Sequence, residues 1–176
     1  MHKRNTRGFT IVELLIVIVV IGILAAITVV AYNGTQQRAR DTRRQDDVGV
    51  ITKALELYYI DNGKYPAGSG STVINNFWST TADGSWSALA TALRPYLAQL
   101  PPDPVSTASG DPLSPSGYNY AYFAGSYCGA GTYQMYILVY RLEGQAQKDT
   151  FNGSCATNPL GPYGSGGASN YRMSKA

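Results

Sequence analysis

One carboxylate, Glu13, stands alone in an otherwise uncharged apolar run from Phe9 to Ala31. An acid in such a stretch is costly in a bilayer, about 2.5–3.5 kcal/mol for Asp at a helix centre and less toward the end, so it marks a functional site. Its counter-charge must come from elsewhere, because no Lys or Arg lies between Phe9 and Tyr32. A cut between Gly8 and Phe9 would supply one: the new α-amino group lies four residues from Glu13 along one helix, and a neighbouring chain's amine could also sit beside it. The carboxylate would then set register between chains. Other reactive groups are scarce. The only histidine is His2, and the two cysteines, Cys128 and Cys155, exclude a four-Cys zinc site and allow one internal disulfide at most. Serines are plentiful, but Lys53, Lys64, Lys148 and Lys175 fall in no Ser/Lys motif, and the glycines of 161–167 precede no helical pattern. No catalytic constellation emerges, and the expectation is a protein that is not an enzyme.

The element that must carry Glu13 is a helix. Twenty-three residues at ~1.5 Å each span about 34 Å, enough for the ~30 Å hydrocarbon core of a membrane. His2, Lys3, Arg4 and Arg7 precede it, which places the N-terminus in the cytoplasm and the rest of the chain outside. Two other readings fit less well. A secretory signal needs a small-residue cleavage site, which Ala25-Ala26-Ile27-Thr28 matches poorly, and a buried core helix seldom stays apolar for so long.

Arg7-Gly8-Phe9-Thr10-Ile11-Val12-Glu13-Leu14-Leu15-Ile16-Val17 resembles the leader and N-terminal segment of type IV pilins and type II secretion pseudopilins. The resemblance covers about 25 residues. It implies that Gly8 precedes the prepilin-peptidase cut, that Phe9 becomes the N-methylated first residue, and that Glu13 neutralises a neighbour's N-terminus during filament assembly. The cut would remove Lys3, Arg4 and Arg7, and the formal side-chain charge would fall from +3 to zero. The implied partners are further copies of the chain and other pilins, a prepilin peptidase/N-methyltransferase, an assembly platform with its motor ATPase, and the membrane. The implied organisation is a leader (1–8), a membrane or filament-core helix (9–32), its amphipathic continuation (33–62) and an extracytoplasmic head (63–176). The family's late helix proline is missing: Ile27-Thr28-Val29-Val30-Ala31 stands in its place.

Beyond Tyr32, Val48, Ile51, Leu55 and Tyr58 recur at helical steps, and Asn62-Gly63 followed by Pro66 is a stop signal, so one helix is expected from about 9 to 61. Arg38, Arg40, Arg43 and Arg44 interleave with Asp41, Asp46 and Asp47. That mixture predicts a solvated or intersubunit salt-bridged surface in preference to a DNA or anionic-lipid site. Residues 67–84 read as a loop. Ser85 reads as the cap of a short helix that turns Trp86, Leu89, Ala90 and Leu93 inward, and Pro95 limits it. Strand-like stretches follow at Tyr118–Ala124, Thr132–Glu143 and Asn170–Ser174. Helix first and strands afterwards predict an α+β head with a small antiparallel sheet.

The resemblance extends weakly through Tyr59-Ile60-Asp61-Asn62-Gly63-Lys64-Tyr65-Pro66 and Leu100-Pro101-Pro102-Asp103-Pro104 to major pseudopilins. Those relatives often carry calcium in loops after the Asp-Pro turn. Calcium needs six to eight oxygen ligands, and only Asp103 and Asp111 lie in that region, so no ligand is assigned and no cofactor is expected. Outside the cell, Cys128 and Cys155 are expected to pair, closing a loop worth roughly 3–4 kcal/mol. The alternating Tyr118, Tyr120 and Tyr122, with Tyr136 and Tyr140, predict half-buried sheet packing over a ligand-stacking face. The expected role is a filament subunit. A minor, tip or competence-type pilin whose head binds DNA, a surface or secreted cargo is the alternative.

Overall fold

A computed structural model describes residues 9–106, 117–126, 130–144 and 170–175, with the backbone alone at Val30 and at 170–175. Gly8, Asp111, Cys128, Cys155 and the glycines of 161–167 lie outside the described residues. Two compact units divide the chain, Met1–Ala39 and Arg40–Ala176, and the boundary falls within the first helix. That helix, α1 (Ile11–Asn62), passes through Gly22, Gly34 and Gly49 without a break, as expected where no proline interrupts the ladder.

In the first unit α1 has no inward face. Its large apolar side chains from Ile11 to Val29 are between 48% and 85% exposed. The one polar hydroxyl deep in this stretch, Thr28, donates to the Leu24 carbonyl at 2.7 Å, so it needs no water.

In the second unit α1 becomes amphipathic. Val48, Ile51, Ala54 and Leu55 are buried, and the helix ends where Gly63, at φ +67°, returns its N–H to the Tyr59 carbonyl at 2.8 Å. A residue with a side chain would strain in that left-handed turn. The short helix α2 (Ser85–Leu93) turns Trp86, Leu89 and Leu93 inward. Its cap is Gly84 and not Ser85; the Ser85 hydroxyl instead accepts the Thr80 amide at 2.9 Å.

The sheet runs β1 (Trp78–Thr80), β2 (Ala121–Gly125), β3 (Met135–Tyr140) and β4 (Asn170–Lys175) in that spatial order, all neighbours antiparallel. Register sets Trp78 opposite Phe123, Tyr122 opposite Leu138 and Tyr136 opposite Ser174. Strand alternation sorts the side chains onto two faces. Tyr120, Tyr122, Ala124, Tyr136 and Leu138 join α1 and α2 in the main core, and Trp78, Ala121, Phe123, Met135, Ile137 and Val139 form a second cluster. The stretch 67–84, expected to be all loop, therefore contains an edge strand. Three residues are too few to show a period, and pairing with β2 defines it.

Candidate functional site

The helix start in the first unit is a closed ring of hydrogen bonds. Thr10 donates to Glu13 Oε2 twice, from its amide at 2.8 Å and from its hydroxyl at 2.7 Å, and the Glu13 amide donates back to Thr10 Oγ1 at 3.2 Å. This is a capping box: the residue before the helix and the third residue within it satisfy each other's free donors. It explains why α1 starts at Ile11. It also gives Glu13 hydrogen-bond partners within its own chain. Phe9 lies one residue outside the ring and is largely exposed. The motif was readable in Thr10-Ile11-Val12-Glu13, since Thr-x-x-Glu ahead of an apolar run is the sequence mark of such a cap.

A second polar constellation lies in the other unit, where surface was expected. Arg44 is 0% exposed and Asp103 2%. The guanidinium grips Asp103 with two bonds, Nε to Oδ2 at 2.8 Å and Nη2 to Oδ1 at 3.2 Å. Its Nη1 reaches Asp41 at 3.0 Å and Glu143 at 2.7 Å. Arg40 takes the same Glu143 from the other side, Nε to Oε1 at 2.7 Å. Asp41 in turn accepts the amides of Glu143 and Gly144, and Asp103 accepts that of Val105 at 2.8 Å. Tyr118 completes the site: the Arg44 guanidinium carbon lies 4.8 Å from its ring centre and that of Arg141 5.0 Å.

The electrostatics follow from this geometry. Burial alone would lower the Arg44 pKa, but hydrogen bonds to Asp103 and Glu143 outweigh it and raise it. Hydrogen bonds from Arg40, ahead of those from Arg44, hold the Glu143 carboxyl below the ordinary range. The expected solvated or intersubunit surface at Arg38–Arg44 is thus corrected at Arg44, Asp41 and Arg40, which pair within their own chain. One signal was present: Arg44 stands four, seven and eleven residues before Val48, Ile51 and Leu55, on the buried face of α1. Asp103, one of the two acids in the region where relatives often carry calcium, has both carboxylate oxygens bonded to Arg44. Among the described residues no group of three His, Cys, Asp or Glu is placed to hold a metal ion.

Comparison with known proteins places these features. Residues 3–29 match the family model described as the prokaryotic N-terminal methylation motif. The type IV wide pilus major component PilA4 of Thermus thermophilus is 34% identical over 93 residues, which are 53% of this chain and 71% of that protein. The chain belongs to the type IV pilin family. This pilin is also 38% identical over 66 residues to the type II secretion system core protein G of Aeromonas hydrophila, and 37% identical over 67 residues to its namesake in Pseudomonas aeruginosa. Those matches cover 38% of the pilin and 46% and 47% of the two relatives, so it spans about half the length of the secretion proteins it matches. No solved structure matches it.

Three of the pilin's sheet tyrosines are packing groups. Tyr120, Tyr122 and Tyr136 are buried, and the Tyr122 hydroxyl donates to the Pro66 carbonyl at 2.7 Å, so this face of the sheet is closed to a stacking ligand. Its α1 is long and apolar enough to cross a membrane, and no part of that apolar window is buried. The relatives are named as components of a pilus and of a secretion system, and the residues that match the methylation-motif family model include Phe9 and Glu13.

Proposed function

We propose that this pilin is a structural subunit of a type IV pilus-like or type II secretion filament. In this reading a prepilin peptidase cuts between Gly8 and Phe9, the Phe9 amine is methylated, and residues 9–32 hold the chain in the cytoplasmic membrane with its head outside. An assembly platform and a motor ATPase then move that helix into a fibre core of identical helices.

The observation that supports it best is the exposed apolar length of α1 in a chain of this family. Each Leu, Ile or Val left in water forgoes roughly 1.5–3 kcal/mol of burial, so lipid or other helices must cover this stretch. Glu13 then does what an inert anchor cannot. Its charge disfavours hydrocarbon, and the α-ammonium freed at Phe9 gives it a partner that exists only after processing. The charge pair favours the correct stagger between subunits and penalises a shifted one.

Glu13→Ala tests the reading. The variant is expected to insert and to lose its leader normally, while filament recovered from sheared surface material falls about tenfold, a loss of ~1.4 kcal/mol in assembly. Wild-type filament yield from a cleaved Glu13→Ala chain would overturn the pairing.

A further inference from the structure

We propose that the head contains a one-electron redox site at Tyr65, which gives up an electron through the neighbouring ring of Tyr59 and its phenolic proton to Glu56. The inference is separate from the filament role and goes beyond it. Tyr59 and Tyr65 have ring centres 4.7 Å apart, Tyr65 and Tyr136 4.8 Å, and Tyr136 and Tyr122 6.1 Å, so the rings form one continuous run. Tyr65, Tyr136 and Tyr122 are buried, while Tyr59 is half-buried and meets solvent. Packing asks only for rings, which phenylalanine supplies without a hydroxyl to satisfy, yet the chain has 14 Tyr and 4 Phe.

The acceptors of these hydroxyls decide where an oxidised ring comes to rest. An oxidised phenol is a strong acid, so the missing electron settles where a base takes the proton. The Tyr65 hydroxyl donates to Glu56 Oε2 at 3.0 Å, whereas Tyr59 donates to the Gln134 side-chain carbonyl and Tyr122 to the Pro66 carbonyl. Of these acceptors only the carboxylate is a good base. Burial holds the Tyr122 proton in place, with the pKa pushed well above the ordinary range. Tyr96 and Tyr120 also donate to carboxylates, Asp61 at 2.7 Å and Asp47 at 3.0 Å. Their rings pack on Tyr58 and Trp86, outside this run. In the proposed step a radical oxidant takes one electron from Tyr59, and Tyr65 returns that electron to Tyr59 as its proton passes to Glu56. The products are the reduced oxidant, a neutral Tyr65 phenoxyl radical and protonated Glu56. Because Tyr65 is 1% exposed, this radical cannot couple to a tyrosine of another molecule.

The test oxidises the purified full chain in detergent with flash-generated tris(bipyridyl)ruthenium(III). The tyrosyl radical is followed by its absorption and by electron paramagnetic resonance. The wild type is expected to hold a long-lived signal. Tyr65→Phe keeps the ring, and Glu56→Gln keeps a hydrogen-bond acceptor without the base. Each should shorten the lifetime at least about tenfold, the low side of what a positioned base supplies, as the oxidised state passes to exposed tyrosines that cross-link. Tyr59→Phe should lower the yield, and Tyr96→Phe and Tyr120→Phe should match the wild type. A wild type without a long-lived radical overturns the proposal, as does a lifetime unchanged in Tyr65→Phe or Glu56→Gln. A yield unchanged in Tyr59→Phe, or a signal lost in Tyr96→Phe or Tyr120→Phe, overturns it too. Thermal melting identifies a variant that fails to fold; should Tyr65→Phe be one, Glu56→Gln decides.

Discussion

Asp83 shows how much one carboxylate can organise. It accepts from the Ser71 hydroxyl and the Thr72 amide, each at 2.8 Å, from the Ser85 amide at 2.9 Å, and from the Ser85 hydroxyl. Burial alone would raise its pKa, but hydrogen bonds from Ser85, Ser71 and Thr72 outweigh it and bring the group to about 2, against an ordinary 3.8. The folded state therefore holds its proton more weakly than the unfolded state does. The stabilisation is nearly complete above about pH 4 and is lost as pH falls through about 2, below which both states are protonated. Allowing for partial exposure, it is on the order of 1–2 kcal/mol. Thermal melting between pH 5 and 2 should show this loss, and Asp83→Asn should flatten that part of the curve. An unchanged profile in the variant would mean that the loop does not depend on the charge.

Among the elements, the edge strand β1 depends on a glycine. A Cβ on Gly68 would lie 1.9 Å from the Phe77 carbonyl oxygen, backbone that cannot swing aside as a side chain can. Gly68→Ala is therefore expected to cost at least about 2 kcal/mol in chemical denaturation, on the scale of overpacked sites, and to displace β1 from β2. A neutral result would show that the loop before β1 moves freely. This contact also marks what could not be read in the sequence. The α1 stripe at Val48, Ile51 and Leu55 has a period that one helix face imposes by itself, so the expected helix of about 9–61 and the observed Ile11–Asn62 agree closely. Strands β2 and β3 were legible as apolar or aromatic runs, and β4 as the strand-like stretch Asn170–Ser174 in which Tyr171 and Met173 alternate with polar residues. Trp78-Ser79-Thr80 had no such run, and what makes it a strand is Phe123, Tyr122 and Ala121 across the ladder. Glu13 stood out in the sequence as the one charge in an apolar run, and the structure gives it a capping role with Thr10. Arg44 did not stand out, since its partners Asp103 and Glu143 lie 59 and 99 residues away.

For the whole molecule, those distances have a consequence at the division of the chain into Met1–Ala39 and Arg40–Ala176. The second unit contains its own core and both arginines of the buried cluster, with Arg40 at its first position. A fragment starting at Arg40 keeps every ion pair of that cluster and lacks the exposed apolar stretch, so it is expected to be soluble and cooperatively folded. A fragment starting at Gln45 keeps the core stripe from Val48 onward but loses Arg40, Asp41 and Arg44 together. Asp103 and Glu143 would then be left without their cations. Unpaired buried charge typically costs 3–5 kcal/mol, a large share of a domain's 5–15 kcal/mol. The five residues removed include no buried apolar side chain, so hydrophobic burial alone predicts nearly equal stability for the two fragments. Urea denaturation separates the alternatives: a midpoint for the shorter fragment far below that of the longer one places the head's stability in the charge cluster, and equal midpoints would show that the sheet and helices suffice without it.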